Sequence, residues 1–210
     1  GDDPCTQFQP KMIDKNDYAQ MDPDLIAKMH KAIAICQFKI EGQRALAHPE
    51  YQLDDRRLLH RIDYKKGTIE LYGKEYELLD TNLPTVDPDD PYKLTDEETT
   101  MLDAIEASFH SSSLLQKHVT FMFSHGALYK VINNNLLFHG SIPMTDDGEF
   151  DTVCVNDREL RGKDLMDYLD DQVRKAYFSP DEDEEIGISG DVMWYMWLGP
   201  KSPLFGKDKM

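Results

Sequence analysis

The chain has 210 residues, of which 40% are hydrophobic and 30% charged, and carries a formal net charge of −17 at pH 7. That length holds one large domain or two small ones, and the apolar share is enough to build a core. The acidity argues against a nucleic-acid binder, which needs Lys and Arg to displace counterions, and it disfavours binding to an anionic membrane surface.

No signal peptide opens the chain, and no apolar run reaches the ~18 residues needed to span a bilayer. Cys5, Cys36 and Cys154 are widely spaced and form no CxxC pair, which reads as reduced thiols in a cytoplasmic protein. A start at Gly1 without an initiator Met suggests a piece cut from something longer.

Residues up to about Met21 read as polar and irregular. Asp22-Pro23 is a strong helix start, with Asp as cap and Pro at the first helical position. Leu25, Met29, Ile33, Cys36 and Ile40 follow at helical spacing, and the helix should stop near His48-Pro49. A second, highly charged helix is predicted over Asp54 to Ile62. Thr68–Leu71 and Glu75–Leu78 alternate around Tyr72-Gly73-Lys74 as a hairpin. Pro84, Pro88 and Pro91 mark a long loop. Thr95-Asp-Glu-Glu98 is a capping box, with Leu102, Ile105 and Phe109 as the apolar stripe behind it. Ser111–Ser113 breaks or re-caps that helix, and Leu114 to Phe123 is helical again.

Leu128–Ile132 reads as a strand, the asparagines 133–135 as a turn, and Leu136–Phe138 as the strand pairing back. Because that run does not alternate, it is expected to be buried on both faces. Phe150–Val155 and Arg158–Arg161 form a hairpin around Asn156-Asp157, and Asp164–Tyr177 a helix carrying Leu165, Leu169 and Val173. Asp181–Glu185 reads as an acidic loop, and the wholly apolar run Val192–Leu198 should be central.

Several chemical motifs fail on inspection. Gly206-Lys207-Asp208 lacks the upstream glycine and the Ser/Thr of a Walker A loop, and Gly187-Ile-Ser189-Gly190 has the wrong spacing for a nucleophile elbow. The acidic run Asp181–Glu185 lacks the EF-hand spacing and glycine. His118 and His125 would share a helix face, but have no third ligand nearby. His139 stands apart. It ends a predicted strand and is followed by Gly140, as expected where backbone or substrate must come close.

His139-Gly140-Ser141-Ile142-Pro143 resembles the His-Gly motif of the calcineurin-like metallophosphoesterases, in which the histidine binds one of two catalytic metals. The aromatic run Trp194-Tyr-Met-Trp197 is placed like the Leu-Leu-Trp strand of the related protein phosphatases. The longer stretches His125–Pro143 and Ser202–Met210 are similar to the class III fructose-1,6-bisphosphatases of bacteria, and the charged first half resembles that family's helical insertion.

The resemblance implies a mixed α/β (α+β) fold, a partial metallophosphoesterase β-sandwich with flanking helices plus a helical insertion. Residues 1–94 would be the mostly helical insertion with its small hairpin, and 95–210 the central part of the phosphoesterase domain. It implies hydrolysis of the 1-phosphate of fructose 1,6-bisphosphate in gluconeogenesis, with Mn²⁺ as the divalent metal and His139 as one ligand. Lys201, Ser202 and Lys207 could approach a phosphate near the same mouth, with ordinary surface roles as the alternative reading. No nucleic-acid or membrane partner is expected, and a homo-oligomer is possible. The family's Asp-x-His, Gly-Asp-x-x-Asp-Arg, Gly-Asn-His and final Gly-His motifs are missing from the sequence. Two metals need bridging carboxylates and several histidines, so this stretch alone is expected to be inactive and to hold no tightly bound metal. The rival readings are a stand-alone acidic binding or regulatory module, with His139 packed in a core, and a protein phosphatase, which the charged insertion fits poorly.

Overall fold

A computed structural model describes residues 5–9, 22–178 and 184–205. The protein is a mixed α/β chain of helices and small antiparallel sheets, divided into two compact units: Gly1–Arg44 with Arg56–Leu102, and Ala45–Asp55 with Asp103–Met210.

In the first unit, helix α1 (Pro23–Ala47) starts and stops where the sequence predicts. The Asp22 carboxylate accepts the Asp24 N–H at 3.0 Å, and Pro49 follows two residues after the end. The predicted stripe is rotated, however. Leu25, Met29 and Ile33 are 51%, 53% and 40% exposed, while Cys36 of the predicted stripe is buried together with Ile26, Ala27, Lys31, Ile35 and Lys39. The buried face is organised by two lysines, which a count of apolar residues cannot see. Lys31 pairs with Asp80 at 2.8 Å. Lys39 donates to Glu98 at 2.7 Å and to the Thr85 carbonyl at 2.6 Å.

The charged helix expected over Asp54–Ile62 does not form. Single 3₁₀ turns at Asp54–Arg56 and Leu59–Arg61 lead into strand β1 (Ile62–Asp63). So charged a segment has little apolar face to stabilise a helix. It follows its tertiary contacts instead, with Leu59 entering a small core with Ile35, Val86 and Tyr92. Strands β2 (Thr68–Leu71) and β3 (Lys74–Glu77) form the predicted hairpin, with β1 added beside β2. Tyr72 and Gly73 both take positive φ, 53° and 74°, the two-residue turn whose twist suits a hairpin. The capping box also forms. The Thr95 hydroxyl accepts the Glu98 N–H at 3.2 Å, and the Glu98 carboxylate accepts the Thr95 N–H at 2.8 Å, opening α2 (Asp96–Ser111).

In the second unit, Ser112 re-caps the chain by accepting the Leu115 N–H, and α3 (Ser113–His125) follows. Strands β4 (Tyr129–Ile132) and β5 (Asn135–Phe138) pair, as do β6 (Val153–Val155) and β7 (Arg158–Leu160). Helix α4 (Gly162–Phe178) buries Leu165, Met166 and Leu169. The aromatic run expected to be a strand is instead the end of helix α5 (Glu184–Leu198). A wholly apolar run does not distinguish strand from helix by period. The burial does, since Val192, Tyr195 and Met196 are buried and Met193 and Trp197 exposed, which is one helical face. The run is central as predicted, packed with Tyr51, Leu53, Val153, Val155, Leu165 and Leu169. Glu184 and Glu185, read as part of an acidic loop, open α5, while Asp181–Asp183 lie outside the described residues.

Leu136–Phe138 forms the predicted strand but not in the predicted environment. Leu136, Leu137 and Phe138 are 48%, 53% and 45% exposed. β5 pairs with β4 alone, so this two-stranded sheet carries apolar side chains on both faces and is covered completely on neither. Among the described residues, the strands of the expected partial β-sandwich form one three-stranded sheet and two separate hairpins among helices.

Burial pulls the Glu98 carboxyl upward, but Lys39, Thr85 and the Thr95 N–H outweigh it and hold the group below the ordinary glutamate range. A carboxyl depressed in this way stabilises the fold above its unfolded pKa of about 4.3 and loses that contribution as pH falls through its lower folded value. Lys39→Met should destabilise the protein by about 3 kcal/mol in urea at pH 7, because it leaves the Glu98 carboxylate buried without its cation. It should also flatten the stability loss on acidification below about pH 4. Matching acid profiles for the variant and the wild type would show that the two groups are not coupled.

Candidate functional site

The hairpin that carries His139 is set by its turn. Asn133 and Asn134 both adopt positive φ, 50° and 61°, which Asn tolerates better than most residues. The register pairs Tyr129 with Phe138 and Val131 with Leu136, so these four share one face and Lys130, Ile132, Asn135 and Leu137 the other. Helix α4 holds the base of the hairpin. Asp170 accepts the Leu128 N–H at 3.2 Å, and Asp167 accepts the Tyr129 hydroxyl at 2.7 Å. Hydrogen bonds from Lys163 and then Tyr129 keep the Asp167 carboxyl below its ordinary range. Arg174 donates to Asp170 and to the carbonyls of Phe123 and Gly126, which ties the end of α3 to the same helix.

His139 follows β5 directly and is exposed. Gly140 then meets the segment that leaves α5. A Cβ at position 140 would lie 2.3 Å from the Pro203 carbonyl oxygen and 2.9 Å from that of Leu204. Only glycine allows this approach. The next residue uses it, since the Ser141 N–H donates to the Pro203 carbonyl at 3.0 Å.

Ser202 is fully buried. Its hydroxyl donates to the Met196 carbonyl at 2.5 Å and accepts the N–H groups of Leu204 and Phe205 at 3.2 and 3.4 Å. That hydroxyl is spent inside the turn, where it caps the end of α5 and shapes the backbone that faces Gly140. The Lys201 ammonium lies 2.6 Å from the Asp151 carboxylate, and the Asp151 N–H donates to the Pro143 carbonyl at 3.0 Å. The hydrogen bond from Lys201 is the main reason the Asp151 carboxyl sits below its ordinary range.

His139, Lys201 and Ser202, picked from separate stretches, therefore flank one backbone junction. Lys207 lies outside the described residues. Asp151 was not singled out from the sequence, because a lone Asp in a loop carries no local signal and only the fold brings Lys201 to it. His48 entered the sequence reading only as a marker of where α1 stops. Its ring nitrogens face Glu50 at 2.9 Å and Asp191 at 3.2 Å, and the ring stacks on Tyr51. His118 and His125 do share α3, where His125 stacks on Phe121.

Among the described residues, no group of three or more His, Cys, Asp or Glu side chains is arranged to hold a metal. His139 presents an exposed imidazole between the end of β5 and Gly140. Also among the described residues, no helix is long and apolar enough to cross a membrane, and all three cysteines are free.

The family model described as Firmicute fructose-1,6-bisphosphatase matches residues 1–210. The chain is 50% identical over its whole length to the class 3 fructose-1,6-bisphosphatase of Clostridium tetani, and covers 32% of that protein. It is 48% identical to the class 3 enzyme of Parabacteroides distasonis and 46% identical to that of Bacteroides thetaiotaomicron, again over its whole length and covering 32% of each. The chain thus spans about a third of the length of the curated relatives it matches. No solved structure matches it. With every residue inside the family model and about half identical to named members, the chain belongs to the Firmicute-type, class 3 fructose-1,6-bisphosphatase family.

Proposed function

We propose that these 210 residues are one part of a cytoplasmic fructose-1,6-bisphosphatase that removes the 1-phosphate of fructose 1,6-bisphosphate in gluconeogenesis. The observation that carries the reading is identity of 46% to 50% across the whole chain with enzymes of that name. Residues 1–94 are then the inserted, mostly helical region, and 95–210 the part that bears the site. The fold of the complete enzyme is that of a metallophosphoesterase.

His139 is the metal ligand in this reading. When bound, a pair of divalent ions, taken here as Mn²⁺, supplies an activated water and charge neutralisation for the phosphoryl group. The chain's own part is to present a neutral imidazole at the end of β5 and to keep its orientation. Of the three residues considered for the substrate phosphates, Lys207 supplies positive charge there, while the Lys201 ammonium is taken up by Asp151 and the Ser202 hydroxyl by its own turn. Support for His139 comes from its exposure at a strand end and from the close backbone approach at Gly140. A homo-oligomer is compatible with the exposed apolar strand β5.

The isolated chain should release no phosphate from fructose 1,6-bisphosphate with or without Mn²⁺, since one imidazole cannot hold a dinuclear centre. Turnover by the purified chain would overturn this division of the site. In the full-length enzyme, His139→Gln should lower metal affinity by more than the roughly 10–100-fold typical of losing a group one shell further out. Helical content by circular dichroism should be unchanged. Wild-type turnover and metal dependence in that variant would remove His139 from the site.

A further inference from the structure

The backbone around His139 is closed into a circuit by contacts that the sequence does not reveal. The Ser141 N–H binds the Pro203 carbonyl at 3.0 Å, and the Pro143 carbonyl binds the Asp151 N–H at 3.0 Å. The Asp151 carboxylate binds the Lys201 ammonium at 2.6 Å. Lys201 lies two residues before Pro203, which returns the circuit to Ser141. Inside it, the Gly140 backbone lies against the carbonyls of Pro203 and Leu204, and the buried Ser202 hydroxyl fixes their direction through Met196, Leu204 and Phe205. A bridge between Met144 and Phe150 keeps the two ends of the Pro143–Asp151 excursion together.

We propose that Lys201 and Asp151 are positioning residues, an ionic clasp that closes this circuit and fixes the direction in which His139 leaves β5. The proposal rests on His139 being a metal ligand, as argued above. The pair has little to do with global stability, because its side chains are 45% and 27% exposed and an ion pair that open contributes little. Its effect is local. Without it, Asp151 keeps its backbone hydrogen bond to Pro143, and the turn 199–205 keeps its contacts with Gly140 and Ser141. In this role the Lys201 ammonium serves the loop rather than the substrate.

The test has two arms. In the 210-residue chain, amide hydrogen exchange is measured at Ser141 and Asp151 for wild type, Lys201→Met, Asp151→Asn and Lys201→Arg. Both charge-removing variants should speed exchange at these amides about tenfold, with the global denaturation midpoint unchanged, since local opening is separable from global unfolding. Lys201→Arg should restore the wild-type rate. Unchanged exchange in Lys201→Met, or no rescue by Arg, overturns the clasp. Gly140→Ala serves as a second probe that leaves the ion pair in place. It should speed exchange at Ser141, and no change there also counts against the circuit.

In the full-length enzyme, Lys201→Met and Asp151→Asn should each weaken Mn²⁺ affinity about tenfold, at the low end of the range for groups that orient a ligand. The double variant should be no worse than either single one, and KM at saturating metal should be unchanged. A rise in KM for Lys201→Met that Asp151→Asn does not reproduce would make Lys201 a substrate contact and overturn the proposal. If His139→Gln leaves metal affinity unchanged while the exchange results hold, the metal-ligand reading fails and the clasp remains as a structural feature only. If His139→Gln lowers affinity and the clasp variants do not, the positioning role fails alone.

Discussion

The approach of the Gly140 backbone to the carbonyl oxygens of Pro203 and Leu204 is the contact on which the second unit's arrangement depends. It joins the exit of strand β5 to the exit of helix α5. The helix supplies the rigidity, because Val192, Tyr195 and Met196 are buried against Leu165 and Leu169, and apolar side chains of that size contribute roughly 1.5–3 kcal/mol each when fully buried. Ser202 carries that rigidity past the helix end by accepting two N–H groups and donating to the Met196 carbonyl. Any side chain at position 140 would push the two exits apart. His139 is therefore fixed in place by a core that it does not enter.

The hairpin bearing His139 is otherwise poorly covered. Val131, Leu136, Leu137 and Phe138 are each about half exposed, a large apolar surface for so short an element. Its base is anchored by Leu128 in the main core with Tyr129 packed beside it, and by polar contacts: Asp170 on the Leu128 N–H, Asp167 on the Tyr129 hydroxyl, and Arg174 across the neighbouring carbonyls of α3. Such polar contacts give direction more than stability. The first unit shows the same economy. The fully buried Lys39 ties α1 to the Thr85 loop and to the capping box that opens α2.

Local chemistry was the legible part of the sequence. Asp22-Pro23, the Thr95–Glu98 box, Ser112 and the turn pairs 72–73, 133–134 and 156–157 each satisfy a backbone requirement within a few residues, and all appear where expected. What failed depended on distant partners. The buried face of α1 was misjudged because Lys31 and Lys39 anchor it. Residues 54–62 read as a helix but follow Leu59 into a small core. Trp194–Trp197 was expected as a strand from its likeness to the phosphatases' Leu-Leu-Trp strand, and an apolar run has no period to tell otherwise. The burial of Leu136–Phe138 was inferred from a run that does not alternate, and that pattern states only that both faces are apolar, not that anything covers them. In the candidate site, His139 was singled out by the glycine after it. Asp151 was not, because its partner Lys201 is fifty residues away in sequence.

As proposed, His139 places its imidazole on a metal in the complete enzyme. Pulsed electron paramagnetic resonance of the Mn²⁺-loaded full-length protein tests it directly, because a nitrogen bound to the ion gives a hyperfine coupling that a distant ring does not. With histidines labelled by ¹⁵N, the wild type should show directly bound histidine nitrogen, and one such coupling should vanish in His139→Gln while the other histidine couplings persist. An identical set of couplings in the two proteins would show that His139 is not a metal ligand.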